Sequence, residues 1–368
     1  MTASRLHQLS ALGQSVWIDF LSRDMLRSGE LARLHEEDAV VGVTSNPTIF
    51  QKAIAAGDAY DEQLRRELED ERDPKELFLR LAIEDVRAAC EVLRPVWDGG
   101  GGRDGYVSLE VDPTLAYETE ATIAEAVRLH DLVDRPNLFV KIPATEPGLP
   151  AIEEMIARGK SINVTLIFSL ERYAAVAAAY VRGLERLVEA GGDPSVVASV
   201  ASFFVSRVDT EADRRLEEVG APAELHGKLA VANAKLAYRR YKEIFAGERW
   251  DALAARGATA QRCLWASTST KNPAYRDVLY VEELIGPETV NTMPEETIQA
   301  FQDHGEVALT LERGIEEAEE VFRRIAEAGV DYDDVTATLE REGVEKFADS
   351  FAELLDGIRA KSGELVVS

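Results

Sequence analysis

The chain has 368 residues, of which 41 are Lys or Arg and 67 are Asp or Glu, so its formal net charge at pH 7 is −26. A chain this acidic does not offer the extended basic surface that nucleic-acid binding requires. Hydrophobic residues make up 46% of the sequence, which is enough for a large core and excludes wholesale disorder. An anionic substrate stays compatible with the charge, because a few local cations can outweigh a salt-screened global field.

The two cysteines, Cys90 and Cys263, cannot build a disulfide framework, so the sequence favours a reduced compartment. Cys263 has no neighbouring histidine to activate it, and we interpret it as a packed core residue. The N-terminus has no apolar stretch behind a basic region, and no window approaches the roughly 18 apolar residues of a membrane span. The sequence therefore predicts a soluble, cytoplasmic protein without a membrane partner.

Eight short runs rich in Val, Ile and Phe alternate with longer amphipathic segments. They begin near Ser15, Val40, Tyr106, Asn137, Ile162, Val197, Arg262 and Thr289. Even the shortest interval between two starts has room for a strand, a helix and two turns, which indicates parallel βα units. A doubly wound sheet would place a Gly-rich phosphate turn after its first strand, and none follows Phe20. The sequence therefore predicts a (β/α)₈ barrel.

Extra helices are expected in the two longest intervals between strands and after the last strand. The predicted helices of the two intervals span residues 58–71, 74–93, 209–218 and 223–245. After the eighth strand, residues 295–368 contain helical runs at 297–302, 307–327 and 333–359. We expect residues 1–368 to form a single barrel domain, with residues 295–368 as C-terminal helices packed on its outside.

Alternate residues of a barrel strand face the interior, so polar residues of one parity mark an inward-facing site. This parity turns Asp19 of the first strand, Glu110 of the third and Lys141 of the fourth inward. In the fifth strand it does the same for Asn163 and Thr165. All five are expected at the C-terminal mouth of the barrel, where enzymes of this fold carry out catalysis.

An interior lysine beside a glutamate has two interpretations. Lys141 and Glu110 could form a structural ion pair, and the residues alone leave that alternative open. The other is nucleophilic: desolvation favours the neutral form of an amine, which attacks a carbonyl to give a Schiff base, and the iminium then acts as an electron sink for carbon–carbon cleavage. Asp19 and Glu110 would supply the proton transfers. The inward groups include no clustered histidines, so neither a metal nor another cofactor is expected.

Four segments resemble the motifs of the transaldolase family, and they occur in that family's order. They read Val-Thr-Ser-Asn-Pro at 43–47, Val-Ser-Leu-Glu-Val-Asp at 107–112, Val-Lys-Ile-Pro-Ala-Thr at 140–145 and Ile-Asn-Val-Thr-Leu-Ile-Phe-Ser at 162–169. The resemblance extends from about Leu12 to Met293. It implies transfer of a dihydroxyacetone unit in the non-oxidative pentose phosphate pathway, from sedoheptulose 7-phosphate or fructose 6-phosphate to glyceraldehyde 3-phosphate or erythrose 4-phosphate.

The resemblance implies distinct roles for four residues. Lys141 would be the Schiff-base lysine. Asp19 would deprotonate the sugar hydroxyl whose collapse breaks the carbon–carbon bond, and would return the proton to the acceptor. Glu110, with a water held by Thr165, would assist loss of water from the carbinolamine and its return during hydrolysis.

Substrate-binding residues follow from the same resemblance. Asn46 and Asn163 would hydrogen-bond the hydroxyls of the three-carbon unit. Residues 201–207 resemble the family's Ser-to-Arg segment, which implies that Ser202 and Arg207 bind phosphate. Where the family often has a second arginine after the seventh strand, this sequence has Lys271, to which we assign the same role.

Two alternatives stay open. One is a related class I aldolase that acts on a fructose-6-phosphate-like bond without efficient transfer, although the longer chain and Asp19 favour transaldolase. The other is a non-catalytic sugar-phosphate-binding protein that kept the barrel, which the intact set of Lys141, Asp19 and Glu110 disfavours. The expected partners are sugar phosphates, and the expected state is a monomer or a homodimer.

Overall fold

The computed structural model describes residues 4–367, and its centre is a closed barrel of eight parallel strands in sequential order. The strands are β1 (Gln14–Ile18), β2 (Val40–Val43), β3 (Tyr106–Glu110), β4 (Leu138–Pro143), β5 (Ile162–Ile167), β6 (Ser199–Phe204), β7 (Arg262–Ala266) and β8 (Thr289–Met293). Each begins within two residues of its predicted start. The predicted (β/α)₈ barrel is confirmed.

Helices surround the barrel and also cover part of its mouth. Their bounds are α1 (Arg5–Ala11), α2 (Arg23–Arg27), α3 (Glu30–Asp38), α4 (Pro47–Ala55), α5 (Asp61–Glu67), α6 (Pro74–Gly99), α7 (Thr119–Val133), α8 (Gly148–Ala157), α9 (Leu170–Glu189), α10 (Ser206–Glu218), α11 (Leu229–Ile244), α12 (Glu248–Ala254), α13 (Leu279–Glu283), α14 (Glu295–His304), α15 (Ile315–Glu327) and α16 (Tyr332–Val367). Within residues 4–367, none of them is long and apolar enough to cross a lipid bilayer.

Three predicted helices begin later than expected, and the one predicted at 58–71 begins at Asp61. The helix predicted at 307–327 was wrong in its first part, since α15 begins only at Ile315. The backbone N–H groups of Thr310 and Leu311 donate to the carbonyl of Ile285 instead of to a helical turn. The helix predicted at 223–245 is interrupted because Gly227 has a left-handed φ of 67°, and α11 starts after it.

Aromatic side chains fill the lower half of the barrel interior. Tyr106 and Phe139 stack with their ring centroids 3.9 Å apart, and Trp17 lies 6.0 Å from Phe139. Gly42 of β2 makes room for this cluster, because a Cβ at that position would lie 2.4 Å from the Trp17 ring. The interior below the mouth is therefore a packed core and not a channel.

An ion pair closes the N-terminal end of the barrel. Arg262, the first residue of β7, is buried and donates to Asp104 at 2.9 Å and to the Ser15 hydroxyl at 2.8 Å. Because these groups join β1, β7 and the loop before β3, they fix the lower rim. Polar groups available for chemistry are thus concentrated at the opposite, C-terminal end.

The long helix α16 packs against α4, α6 and α10 and also contacts β5. The helix comes close to the barrel at Gly343, where an added Cβ would lie 3.0 Å from Leu166 Cδ2. Leu166 itself has a left-handed φ of 62° at an irregularity in the register between β5 and β6. This bend in β5 and the missing side chain of Gly343 bring α16 to the mouth of the barrel.

Candidate active site

A buried lysine and a buried glutamate lie side by side at the mouth. The Lys141 Nζ donates to Glu110 Oε2 at 3.0 Å and to the carbonyl of Ser45 at 2.9 Å, and only 5% of Lys141 is exposed. In the strand register Glu110 is opposite Lys141, and Lys141 is opposite Asn163. Three neighbouring strands therefore present these side chains at one height, inside the barrel, as the parity of the sequence predicted.

Two buried oxygen atoms near this lysine make no hydrogen bond. Within residues 4–367, Glu110 Oε1 and Thr165 Oγ1 both lack a hydrogen-bond partner although they are shielded from solvent. Burial raises the pKa of Glu110, and the nearby charge of Lys141 offsets part of that increase. Buried polar atoms without partners are rare in folded proteins, so this corner offers hydrogen-bonding capacity to a bound molecule.

Asp19 follows β1 and faces the same cavity. Its Oδ1 accepts a hydrogen bond of 2.6 Å from the Thr44 hydroxyl, which also lies 2.6 Å from the Thr292 hydroxyl. Burial raises the pKa of Asp19, while the hydrogen bond from Thr44 and the charge of Lys141 act in the opposite direction. A carboxyl with a raised pKa is suited to exchange protons near neutral pH.

Two amides flank the lysine. Asn46 precedes α4, and its side-chain oxygen caps that helix by accepting from the Ile49 N–H at 3.0 Å. Asn163 donates to Ser108 Oγ at 3.1 Å and accepts from Ser202 Oγ at 2.6 Å. The Ser202 hydroxyl is thus attached to the Asn163 amide, at the Lys141 end of the site.

The cavity above these residues has a volume of about 520 Å³ and contains further cations. Arg207, in the first turn of α10, lies with its guanidinium carbon 5.0 Å from the Phe204 ring centroid. Lys271, in the loop after β7, donates to Ser269 Oγ at 2.6 Å. Burial lowers the pKa of both Arg207 and Lys271. The mouth therefore combines a buried amine, two carboxyls, two amides and two partly desolvated cations.

Comparison with known proteins decides the family. The sequence model of the Transaldolase/Fructose-6-phosphate aldolase family matches residues 16–358. The chain belongs to this family. A protein named Transaldolase from Frankia alni is 58% identical to it over 97% of each chain. Another Transaldolase, from Acidothermus cellulolyticus, is also 58% identical, over 95% of this chain and 94% of the relative. A Transaldolase from Mycolicibacterium paratuberculosis is 54% identical over 99% of each chain.

The region that matches the transaldolase family contains every predicted site residue. The structure brings all nine of them to one end of the barrel: Asp19, Asn46, Glu110, Lys141, Asn163, Thr165, Ser202, Arg207 and Lys271. Seven line the main cavity, while Glu110 and Asn163 contact residues of that wall, namely Lys141 and Ser202.

Several residues of this transaldolase-family site were not predicted. Thr44 donates to Asp19, and the Thr292 hydroxyl contacts that of Thr44. Thr44 lies inside a matched motif, which is a signal that could have identified it. Phe347 and Lys346 of α16 also line the cavity. Nothing in their sequence surroundings indicates this position, because it depends on how α16 packs across the barrel.

Cys263 is a core residue, as we interpreted it. It is fully buried, its sulfur lies 3.5 Å from the Tyr173 hydroxyl, and burial raises the pKa of its thiol to about 12. A thiol with this pKa is unreactive at neutral pH. In the part of the chain that the structure describes, no group of three or more His, Cys, Asp or Glu side chains is arranged to hold a metal ion.

Proposed function

We propose that this protein is a transaldolase in which Lys141 attacks the carbonyl of a ketose phosphate and forms a Schiff base. The observation that supports this most is the placement of the buried Lys141 amine 3.0 Å from Glu110 in the wall of a cavity that also contains Asp19. A structural ion pair alone would not require a second carboxyl and an open cavity beside the amine. The family and its transaldolase relatives support the same activity.

Glu110 is proposed to serve the formation and hydrolysis of the Schiff base. Attack of the amine on the carbonyl gives a carbinolamine, which must gain a proton on its hydroxyl before water leaves. Glu110 can deliver that proton because burial raises its pKa. The unpartnered Thr165 hydroxyl beside it is suited to hold the water that takes part in the reverse step.

Asp19 is proposed to act on the carbon–carbon bond. It would remove the proton from the hydroxyl next to the scissile bond, and the electron pair of that bond would move to the iminium, leaving a bound enamine. The aldehyde acceptor would then be attacked by the enamine and receive the proton from Asp19. The hydrogen bond from Thr44 fixes the carboxyl for both transfers.

Neutral amides are proposed to hold the three-carbon unit between these two half-reactions. Asn46 keeps its amide nitrogen free for a sugar hydroxyl because its oxygen caps α4. Asn163 is oriented by its bonds to Ser108 and Ser202. For Ser202, this contact supports a role in positioning Asn163, beside the phosphate role that the family resemblance implies.

Arg207 and Lys271 are proposed to bind the substrate phosphate. Both side chains border the cavity, and neither has a carboxylate within 4 Å among the described residues. Arginine offers a planar pair of donors, whereas lysine supplies a point charge. The substrates would be sedoheptulose 7-phosphate or fructose 6-phosphate as donor and glyceraldehyde 3-phosphate or erythrose 4-phosphate as acceptor. We further propose that it works in the cytoplasm as a monomer or homodimer.

The decisive experiment is reduction with borohydride in the presence of fructose 6-phosphate, followed by mass spectrometry of the peptides. We expect a three-carbon adduct on Lys141. A sugar-phosphate-binding protein without catalysis would give no adduct, and an adduct on another lysine would contradict the assignment.

Transaldolase activity is distinguished from fructose-6-phosphate aldolase activity by measuring the release of glyceraldehyde 3-phosphate with and without erythrose 4-phosphate. A transaldolase releases it efficiently only when the acceptor is present, because the three-carbon unit otherwise stays on the lysine. Equal release under both conditions would indicate an aldolase. The relatives at 54–58% identity that are named Transaldolase favour the first outcome.

A further inference from the structure

The C-terminal helix α16 forms one wall of the catalytic cavity. Its Phe347 is buried, and the ring centroid lies 5.8 Å from Lys141 Nζ and 5.9 Å from the guanidinium carbon of Arg207. The preceding residue, Lys346, lines the same cavity and is exposed at its rim. The buried Phe347 ring thus anchors α16 against the cavity. This places Lys346 on the side of the cavity where Arg207 and Lys271 lie.

These three cations are not neutralised by the protein. Within residues 4–367, none of Arg207, Lys271 and Lys346 forms an ion pair within 4 Å, although the chain has 67 acidic residues. Burial lowers the pKa of Lys271, and the charges of Arg207 and Lys346 lower it further, while Glu296 and Asp19 act in the opposite direction. Lys271 therefore has both other cations as like-charged neighbours. Repulsion between these like charges is unfavourable, and a bound anionic ligand would reduce it.

Among the described residues, the carboxylates around the cavity form no ion pair with these three cations, although the charge of Asp19 acts on both Arg207 and Lys271. Glu211 lines the cavity, but its oxygens are engaged by Arg214 and Arg215 at 2.7 Å. Glu342, one helical turn before Lys346, forms no ion pair with it although the spacing would permit one. Glu296 is exposed at the rim, and its charge raises the pKa of Lys271 without a contact within 4 Å.

We propose that Lys346 is a third phosphate-binding residue, which makes α16 part of the recognition of phosphorylated substrates. The inference rests on the proposed function, since it concerns the phosphate of the same sugar substrates. A phosphate group has three acceptor oxygens and accepts charge-assisted hydrogen bonds from several directions at once. Arg207 belongs to the first turn of α10 and Lys271 to the loop after β7, and Lys346 adds a third cation from α16 on the same side of the cavity.

The test compares Lys346→Gln and Lys346→Arg with the wild-type enzyme. Arg341→Gln is the matched control, because Arg341 is an exposed cation on the same helix that does not line the cavity and forms no ion pair with any described residue. For each protein, kcat and KM are measured with fructose 6-phosphate and with fructose as donors, using one acceptor. Loss of one charged hydrogen bond to phosphate corresponds to about a 10- to 100-fold loss of affinity.

We expect Lys346→Gln to raise KM for fructose 6-phosphate by about 10-fold or more, with kcat and the reaction of fructose little changed. Lys346→Arg should restore most of the affinity, and inorganic phosphate should inhibit the Gln variant more weakly than the wild type. Arg341→Gln should behave as the wild type does. Equal losses for both donors, or no loss with fructose 6-phosphate, would overturn the assignment.

Failure of this inference is distinguishable from failure of the proposed function. Dihydroxyacetone has no phosphate, so its trapping by borohydride on Lys141 does not depend on Lys346. If wild type and Lys346→Gln both form the adduct but KM for fructose 6-phosphate is unchanged, only the role of Lys346 is refuted. If the wild type forms no adduct, the Schiff-base function is refuted, and the phosphate assignment that rests on it is refuted as well.

Discussion

Lys141 and Glu110 are directly opposite each other in the register of β4 and β3, and their charged atoms are 3.0 Å apart in the interior of the barrel. Each side chain is therefore the main electrostatic partner of the other in a place that water reaches poorly. Removing Lys141 takes away the charge that partly offsets the raised pKa of Glu110, and this relationship makes the proposed chemistry accessible to experiment.

The Lys141→Met variant is expected to lose all transfer and all borohydride-trapped adduct while keeping the barrel. It leaves Glu110 buried without its cation, which should cost on the order of 3 kcal/mol of stability near neutral pH. Because burial raises the pKa of Glu110 above its unfolded value, this cost should shrink as the pH falls and Glu110 takes up a proton. Denaturant unfolding of the variant and the wild type at several pH values measures this difference in the free energy of unfolding.

The double variant Lys141→Met/Glu110→Gln is the control for that measurement. It has no carboxylate at position 110, so its stability should be closer to that of the wild type and should depend less on pH than that of the single variant. A single variant that is as stable as the double variant at neutral pH would contradict a charged Glu110.

Asp19→Asn should separate Schiff-base formation from bond cleavage. The substitution keeps the size of the side chain but removes the base, and loss of a general acid–base group typically costs about 10²- to 10⁴-fold in rate. We expect mass spectrometry after borohydride reduction to find an intact six-carbon adduct with fructose 6-phosphate. Glu110→Gln should slow formation of any adduct. The reverse pattern in the two variants would exchange the roles of the carboxyls.

Arg207→Ala should affect phosphorylated donors far more than unphosphorylated ones. Its guanidinium is partly desolvated and has no carboxylate partner within 4 Å among the described residues, so a substrate phosphate is its natural counter-ion. We expect kcat/KM for fructose 6-phosphate to fall by about 10- to 100-fold or more and kcat/KM for fructose to change little. A similar loss with both donors would identify a structural arginine.

Asp209 should make the folded protein less stable at higher pH. Burial raises its pKa from 3.8 to about 7, although its oxygens accept hydrogen bonds from the Ala230 N–H and the Tyr280 hydroxyl. The folded state therefore holds this proton more tightly than the unfolded chain. Its contribution is complete below about pH 4 and is lost as the pH rises through about 7.

The size of this effect is roughly 3 kcal/mol between about pH 5 and about pH 8. Asp209→Asn lacks the titrating group, so its stability should fall less than that of the wild type over the same interval. Denaturant unfolding of both proteins at the two pH values gives the difference. An identical pH dependence would show that Asp209 does not titrate there.

Two glycines of α16 test how the helix is held at the mouth. At Gly343 an added Cβ would lie 3.0 Å from Leu166, whereas at Gly357 no heavy atom lies within 4 Å. Gly343→Leu should displace α16, lower the stability and raise KM for both donors. Gly357→Leu should be neutral or stabilising by up to about 1 kcal/mol, because leucine favours a helix more than glycine does. Equal thermal stability of the two variants would contradict this packing.

The barrel and the placement of its polar residues were predictable because strand parity is a local property. Asp19, Lys141 and Thr165 each alternate with apolar neighbours, and the closed sheet turns them to one side. The wall formed by α16 was not predictable, since Lys346 and Phe347 reach the cavity through the packing of α16 against α4, α6, α10 and β5. Likewise, the segment before α15 has a helical pattern but bonds to Ile285 across the fold.

The sealed lower end of the barrel limits how molecules can move in and out. Arg262, Asp104 and Ser15 close that end, and the rings of Trp17 and Phe139 fill the interior above them. The donor, the first product and the acceptor must therefore all pass through the C-terminal mouth of the barrel, which α16 narrows. The aldehyde released from the donor has to leave before the acceptor can enter, so the acceptor should bind only after the first product has dissociated. Double-reciprocal plots of initial rate against donor concentration, at several acceptor concentrations, should therefore give parallel lines.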